Sequence, residues 1–264
     1  MTKVMIVAGG TGGHIFPALA VAELMTDANY DVQWMASQRG LEQKLVTKYP
    51  LHSLPVQALR GKSMLARLMA LYKLFVSICR AWRILRKMQP ELLLTMGGYA
   101  SAPGVVAAWL LRIPIVMHEQ NSCAGLTNRV LARFASKVLS GFPKVQGLKD
   151  YSVVGNPVRQ DFINLPQKQF ADVKPLKILV VGGSQGAQFF NQTFPGAFSA
   201  LAQKRQIAVR HQTGVKQFAQ VQAAYANLNF PADVSEFIDD MAEAYAWADI
   251  ILARSGASTV GNSI

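Results

Sequence analysis

Val4-Met5-Ile6-Val7-Ala8-Gly9-Gly10-Thr11-Gly12-Gly13 decides the fold: an apolar run passes without a polar break into glycines, and a helical pattern follows. A short apolar run closed by a turn signal reads as a buried strand. The glycines let the chain reverse tightly and let a helix start close to the strand end. Pro17 suits a first helical turn, where its missing N–H costs nothing, so the helix is expected to start near it. The backbone amides of such a loop, together with the helix dipole, favour a diphosphate or a developing negative charge. One glycine loop is equally well explained as a packing turn. Here the device recurs in Met96-Gly97-Gly98-Tyr99-Ala100-Ser101-Ala102-Pro103-Gly104 and in Gly182-Gly183-Ser184-Gln185-Gly186, each after an apolar run. Leu179-Val-Val-Gly-Gly-Ser-Gln-Gly also echoes Ile6-Val-Ala-Gly-Gly-Thr-Gly-Gly. Two doubly wound α/β halves in tandem follow, with ligands at the carboxyl ends of their strands.

Outward from that stretch, strand candidates alternate with helical patterns, as in parallel sheets covered on both faces. They are Val4 to Ala8, Val32 to Met35, Leu92 to Thr95, Ile115 to His118, Val138 to Ser140, Ile178 to Val181, Ile207 to His211 and Ile250 to Ala253. Gly155-Asn156-Pro157 and the proline-bounded Leu165 to Pro175 mark a linker, placing one domain at 1–157 and a shorter one at 158–264. The shorter domain is expected to be incomplete, because a helical pattern only begins after Arg254-Ser-Gly-Ala-Ser-Thr-Val.

The 264 residues are 51% hydrophobic and 16% charged, which excludes a disordered chain. Lys plus Arg total 27 against 15 for Asp plus Glu, so an anionic partner is expected: nucleic acid, a phosphorylated ligand or acidic lipid. Cys79 and Cys123 are far apart and read as reduced thiols. The amino terminus is too short an apolar run for a signal peptide, and the uncharged stretch from Leu92 to Leu111 is cut by Gly97, Gly98, Pro103 and Gly104. Any membrane contact is therefore expected to be peripheral.

Several chemistries are disfavoured by spacing. Ile15 stands where the third glycine of GxGxxG is required, and Trp34-Met35-Ala36-Ser37 ends without the acid that grips a ribose, against NAD. Gly61-Lys62-Ser63 resembles the end of a Walker A loop, but Val56 replaces its first glycine. His118-Glu119-Gln120-Asn121-Ser122 lacks the second histidine of HExxH, and no Asp-x-Asp is present, so no metal site and no cofactor are expected. A leaving diphosphate would then rely on amides and on cations such as Arg159 and Arg254.

Taken in order, Gly9-Gly-Thr-Gly-Gly-His-Ile-Phe-Pro-Ala, Met96-Gly-Gly-Tyr, His118-Glu-Gln-Asn, Val154-Gly-Asn-Pro-Val-Arg, Val181-Gly-Gly-Ser-Gln-Gly-Ala, Glu236-Phe-Ile-Asp-Asp-Met and Arg254-Ser-Gly-Ala-Ser-Thr-Val span nearly the whole chain. This set resembles the MurG glycosyltransferases. The resemblance implies a GT-B fold, two Rossmann-like domains with a cleft between them, and metal-free inverting transfer. The sugar would pass from UDP-N-acetylglucosamine (UDP-GlcNAc) to the 4-hydroxyl of undecaprenyl-pyrophosphoryl-MurNAc-pentapeptide (lipid I), giving lipid II for peptidoglycan. By position, the nucleotide-sugar contacts it implies are Thr11, Gly12, Gly13, Asn121, Arg159, Ser184, Ile238, Ala257, Ser258, Thr259 and Val260. His14, Tyr99 and Glu119 match further active-site positions. Either His14 or a desolvated Glu119 suits the general base that takes the hydroxyl proton. Where the family has a glutamate that grips the ribose, this chain has Asn262, which as a neutral partner bonds a hydroxyl more weakly. That departure, and the absence of the family's remaining donor-side residues, point to a truncated or frameshifted chain.

From Arg60 to Lys87 no acid occurs among Arg60, Lys62, Arg67, Lys73, Arg80, Arg83, Arg86 and Lys87. Leu65, Leu68, Met69, Tyr72, Phe75, Val76, Cys79 and Trp82 recur at helical spacing and read as the packing stripe, with Leu71, Leu74 and Ile78 beyond it. A core-packed helix with a solvated cationic face is the plain reading; a helix lying on an anionic membrane is the functional one. The resemblance favours the membrane reading, at the cytoplasmic face of the bacterial inner membrane, with Phe75, Trp82, Arg80, Arg83, Arg86 and Lys87 facing lipid. No nucleic-acid motif accompanies the charge, so nucleic acid is not expected. The alternatives are a UDP-sugar epimerase of the same fold and a non-catalytic membrane-docking module.

Overall fold

The computed structural model describes residues 1–56, 64–166, 175–182, 187–254 and 256, with the side chains of 64–67 left aside. One compact unit runs from Met1 to Arg159, and a second starts at Gln160.

The first unit is built on β1 (Lys3–Ala8), α1 (Gly12–Asp27), β2 (Asp31–Ser37), α2 (Glu42–Leu45), β3 (Leu51–Leu54), α3 (Met64–Met88) and β4 (Leu92–Gly97). It continues through α4 (Ala102–Leu110), β5 (Ile115–Glu119), α5 (Leu126–Leu131), β6 (Lys137–Ser140) and β7 (Ser152–Val153). Its strands pair in the order β3-β2-β1-β4-β5-β6-β7, every pair parallel. Alternation sends Val4, Ile6 and Ala8 to one face, with Trp34 and Met96, under α1. Met5 and Val7 go to the other, with Met35, Leu93 and Met117, where Ala81 and Leu85 of α3 and Val105 and Ala108 of α4 close over them. Strand order reverses between β1 and β4, successive strands being added to one side before that point and to the other after it; there the carboxyl ends of a doubly wound sheet open a crevice.

The second unit carries α6 (Gln160–Ile163), β8 (Leu176–Val181), α7 (Gln188–Ala202), β9 (Ile207–Gln212), α8 (Phe218–Tyr225), β10 (Ala232–Ser235), α9 (Met241–Trp247) and β11 (Ile250–Ala253). Its parallel sheet has the order β10-β9-β8-β11. Phe190, Phe194 and Phe198 stack along α7 and bury against Ile178, Val180 and Val209.

Three strands that the apolar runs did not mark are β3, β7 and β10. Each lies at a sheet edge and is partly exposed, so no continuous apolar run was required of it. The start of α1 is also corrected: the helix begins at Gly12, and Pro17 sits inside it, buried. The ring displaces the bond its nitrogen would have made to the carbonyl of Gly13. Glycines at 12 and 13 leave room for the turn to close ahead of it.

The packing stripe of α3 is corrected as well. Ala70, Ser77, Ala81 and Leu85 are buried, with Leu74, Trp82 and Met88 partly so against the core. Leu68, Met69, Tyr72 and Phe75, which share the helical spacing of that stripe, are 60%, 55%, 67% and 65% exposed, and Leu71 is 51% exposed, so of the two aromatic residues expected to face outwards Phe75 does and Trp82 does not. Small residues on the inner face let α3 approach α4, and a hydrophobicity reading passes over them because alanine and serine carry little weight. Trp82 is therefore a core-side residue capped by Arg86, whose guanidinium carbon lies 4.9 Å from its ring centre. Arg80, Arg83, Arg86 and Lys87 are exposed, as expected of cations facing outwards.

Candidate active site

Ladder geometry makes the first feature of the site. Val7 pairs with Thr95 but Ala8 pairs with Gly97, so the register skips Met96 and forms a bulge at the end of β4. The carbonyl of Met96 is thereby turned to His14, whose Nδ1 lies 2.9 Å from it. Gly97 and Gly98 follow with φ of +86° and +83°, a region that costs glycine nothing. A Cβ on Gly98 would come 2.8 Å from the Gly9 carbonyl oxygen and 3.1 Å from the His14 ring. Backbone there is thus in direct contact with the first glycine loop.

Gln120, just past β5, supplies another acceptor: its Oε1 lies 3.2 Å from His14 Nδ1. Neither a main-chain carbonyl nor an amide oxygen donates a proton, so Nδ1 carries the hydrogen, and in the neutral ring the lone pair is therefore on Nε2. His14 is half-buried, on the first turn of α1. A neutral ring held this way can accept a proton at Nε2.

Glu119 has a different setting. Only 1% exposed, it accepts at Oε1 from the amide and side-chain nitrogens of Asn121, both at 2.9 Å. Its Oε2 accepts from Gly125 N at 3.3 Å and from Asn128 Nδ2 at 2.8 Å. Both oxygens are occupied in tying down the loop from 120 to 128, and protonation would break one of those bonds. The two candidates that the sequence left level thus differ in occupancy: each Glu119 oxygen already accepts two hydrogen bonds, whereas both oxygen partners of the His14 ring are at Nδ1.

The remaining candidates of the first unit gather at the same sheet edge. Thr11 is exposed and Gly12 and Gly13 half-exposed in the first turn of α1, where intrahelical partners for N–H groups run out. Tyr99 is half-buried beside Gly10, where an added Cβ would meet its ring at 3.1 Å. Arg159 is held with its guanidinium 5.7 Å from the ring centre of Phe16, and Phe16 lies against Gly12. Asn156 donates to the Gln120 carbonyl at 3.1 Å, joining the segment before Arg159 to the end of β5. Asn121 is exposed, fixed by its two bonds to Glu119.

Two groups of the site escaped the sequence reading. Gln120 and His118 were quoted within a motif but assigned no role, and Glu42 was not singled out. Glu42 is fully buried, accepts from Gly10 N at 3.1 Å and from the Ser37 amide at 2.9 Å, and so anchors the first glycine loop. One amide of that loop is consequently spent on a carboxylate and is not available to a diphosphate. Only a strand end that brings residue 37 beside residue 10 reveals this.

In the second unit, Ile238 is half-buried and lies just before Asp240, whose carboxylate caps α9 by accepting from Glu243 N at 2.8 Å. Arg254 is exposed directly after β11. Ser184, Ala257, Ser258, Thr259, Val260 and Asn262 lie outside the described residues, as do Arg60 and the stretch Gly61-Lys62-Ser63. Among the described residues no group of three or more His, Cys, Asp or Glu is placed to hold a metal ion. Among them, too, no helix is long and apolar enough to cross a membrane.

Comparison with known proteins gives the family. Residues 4–140 match the glycosyltransferase family 28 N-terminal domain and residues 177–264 its C-terminal domain. A Coxiella burnetii protein named UDP-N-acetylglucosamine--N-acetylmuramyl-(pentapeptide) pyrophosphoryl-undecaprenol N-acetylglucosamine transferase is 47% identical over 98% of this chain and 74% of its own length. A Vibrio cholerae protein of the same name is 46% identical over 98% of this chain and 73% of its own. The crystal structure of Acinetobacter baumannii MurG superposes with a TM-score of 0.75 at 37% identity, covering 99% of this chain and 75% of that one. A UDP-GlcNAc 2-epimerase from Neisseria meningitidis has a TM-score of 0.60 at 15% identity over 97% of this chain and 78% of that one, a likeness of fold alone. The two parallel α/β units are those of a GT-B protein, and the chain belongs to the MurG family within glycosyltransferase family 28.

Proposed function

We propose that this protein is an inverting hexosyltransferase that moves N-acetylglucosamine from UDP-GlcNAc to the 4-hydroxyl of MurNAc-pentapeptide-pyrophosphoryl-undecaprenol, with His14 as the general base. The observation that carries the base assignment is the pair of oxygens on His14 Nδ1, which leaves Nε2 as proton acceptor. As the acceptor oxygen forms its bond to the anomeric carbon, the bond from that carbon to UDP breaks and the hydroxyl proton passes to Nε2. The departing diphosphate takes the electron pair. Amides of Thr11, Gly12 and Gly13 and the Arg159 guanidinium are suited to the charge that develops. Tyr99 and Asn121 line the same edge as substrate contacts. Later in the sequence, Ser184, Ile238, Ala257, Ser258, Thr259, Val260 and Asn262 are the donor-side positions.

The lipid acceptor accounts for α3. Leu68, Met69, Leu71, Tyr72 and Phe75 are exposed ahead of Arg80, Arg83, Arg86 and Lys87 on one helix, the composition of a segment that lies on an anionic bilayer. This reading places the protein peripherally at the cytoplasmic face of the inner membrane.

The test is turnover of labelled UDP-GlcNAc with a soluble lipid I analogue. Replacing His14 by Gln is expected to lower kcat by about 100- to 10,000-fold, the usual worth of a general base. Free epimer, or UDP without disaccharide, would overturn the transferase reading. Unchanged turnover in His14→Gln would overturn the base assignment.

A further inference from the structure

We propose that His118 and Gln120 are positioning residues that hold His14 in its proton-accepting state through a hydrogen-bond chain of fixed direction. This deepens the preceding reading and rests on His14 being the base.

The direction is set from the inner end. His118 Nε2 lies 2.9 Å from the carbonyl oxygen of Gly155, which only accepts, so Nε2 carries the hydrogen and Nδ1 is bare. Burial holds the His118 pKa below its usual range, outweighing the Gly155 bond and the neighbouring Glu119 charge, so the ring is neutral and its Nδ1 is an acceptor at neutral pH. Gln120 Nε2 donates to that nitrogen at 3.3 Å and to the His118 carbonyl at 3.1 Å. Those two acceptors fix the amide: turned over, its oxygen would face another carbonyl oxygen. Oε1 therefore points to His14 and accepts from Nδ1 at 3.2 Å. Every donor and acceptor in the series Gly155, His118, Gln120, His14 runs one way and ends on the bare Nε2 of His14.

His118 and Gln120 are 2% and 0% exposed, so neither the chain nor its polarity is open to exchange with water. The consequence appears in the transition state. When His14 takes the proton it becomes an imidazolium, and its bond to Gln120 Oε1 turns from neutral to charge-assisted. Gln120 therefore acts on the step rather than on binding. Among the described residues, the ionisable groups at this end of the sheet are Glu42 under the first glycine loop, Tyr99 after β4, His118 and Glu119 on β5, and Arg159 beside Phe16 on α1. All are retained in the variants below.

Gln120→Met keeps the volume and removes both the acceptor and the donors. It is expected to lower kcat by about 10- to 100-fold with KM little changed, the worth of a hydrogen bond to a charged group. The acid limb of its kcat/KM profile should move to lower pH, since the protonated ring has lost an acceptor. Gln120→Glu is expected to move that limb the other way, because a carboxylate favours the protonated ring. Opposite displacements are a signature that loss of packing does not produce, and thermal melting of each variant checks the fold. If Gln120→Glu does not fold, Gln120→Met carries the test alone. With ¹⁵N-labelled histidine, long-range proton–nitrogen correlation on the full chain reads the tautomers directly, since only four histidines are present. Hydrogen on Nδ1 of His14 and on Nε2 of His118 is expected. Hydrogen on Nε2 of His14, or an unmoved profile in folded Gln120→Met, would overturn the proposal. Full turnover in His14→Gln with the expected tautomers would defeat the base assignment and leave the chain of bonds intact.

Discussion

His211 makes stability depend on pH in a way that can be worked from its surroundings. The residue is fully buried on β9 between Tyr225 and Asn191. Asn191 Nδ2 donates to the Thr213 carbonyl at 3.0 Å and to Gln217 Oε1 at 2.7 Å, so its Oδ1 faces His211 Nε2 as an acceptor, at 3.1 Å. Nε2 then carries the hydrogen, and Nδ1 accepts from the Tyr225 hydroxyl, also at 3.1 Å. Burial without a compensating charge lowers the pKa from 6.5 to about 4. Protonating Nδ1 would also set it against a hydroxyl that already donates to it. Burial likewise raises the Tyr225 hydroxyl, which stays protonated as the donor.

Because the folded pKa is depressed, the unfolded chain binds the proton more readily. The stabilisation is full above pH 6.5, falls as pH drops from 6.5 towards 4, and is gone below that. A separation of about 2.5 units at about 1.4 kcal/mol each makes the whole effect about 3 kcal/mol. The perturbation is His211→Gln, which does not titrate. Urea unfolding between pH 8 and 4, read at second-unit peptides by hydrogen exchange, should show wild type losing stability relative to the variant by about 3 kcal/mol across that window. His52 and His118, whose pKa values are also lowered by burial, contribute equally to both proteins and cancel in the difference. Parallel curves for the two proteins would refute the reasoning.

Glu42→Gln should destabilise the first unit by about 1–3 kcal/mol in thermal melts, because an amide nitrogen would oppose the Gly10 or Ser37 N–H that the carboxylate now satisfies. It should also lower kcat, through the displaced glycine loop. On α3, Phe75→Ser with Tyr72→Ser is expected to weaken binding to anionic vesicles at all salt concentrations and leave the melting temperature unchanged, since both rings are exposed. Trp82→Ala should instead cost about 2 kcal/mol or more of stability. Replacing Arg80, Arg83, Arg86 and Lys87 by Gln should lower vesicle partitioning by roughly two to three orders of magnitude at low salt, at about 1 kcal/mol for each cation, and by much less at high salt. Undiminished co-sedimentation of that folded variant would show that α3 is an ordinary packed helix.

Residues 4–13 by themselves carried the architecture, because a buried parallel strand and a glycine turn are local matters: one needs a short apolar run, the other residues without a Cβ. The glycine loop at residues 97–98 and the histidine after the first loop were legible for the same reason. Edge strands were not, since half-exposed segments need no apolar run. The inner face of α3 was misread because close helix packing there uses Ala70, Ser77 and Ala81, which spacing rules weigh too little. What suits His14 to the proposed role of base lay beyond any local pattern. Its partners, Met96 and Gln120, stand 82 and 106 residues away, and they meet it only because strand order sets β1 beside β4 and β4 beside β5. A motif can name Glu119 and His14 as equals, but the number of lone pairs already occupied on each is a property of neighbours, and neighbours are decided by the tertiary fold.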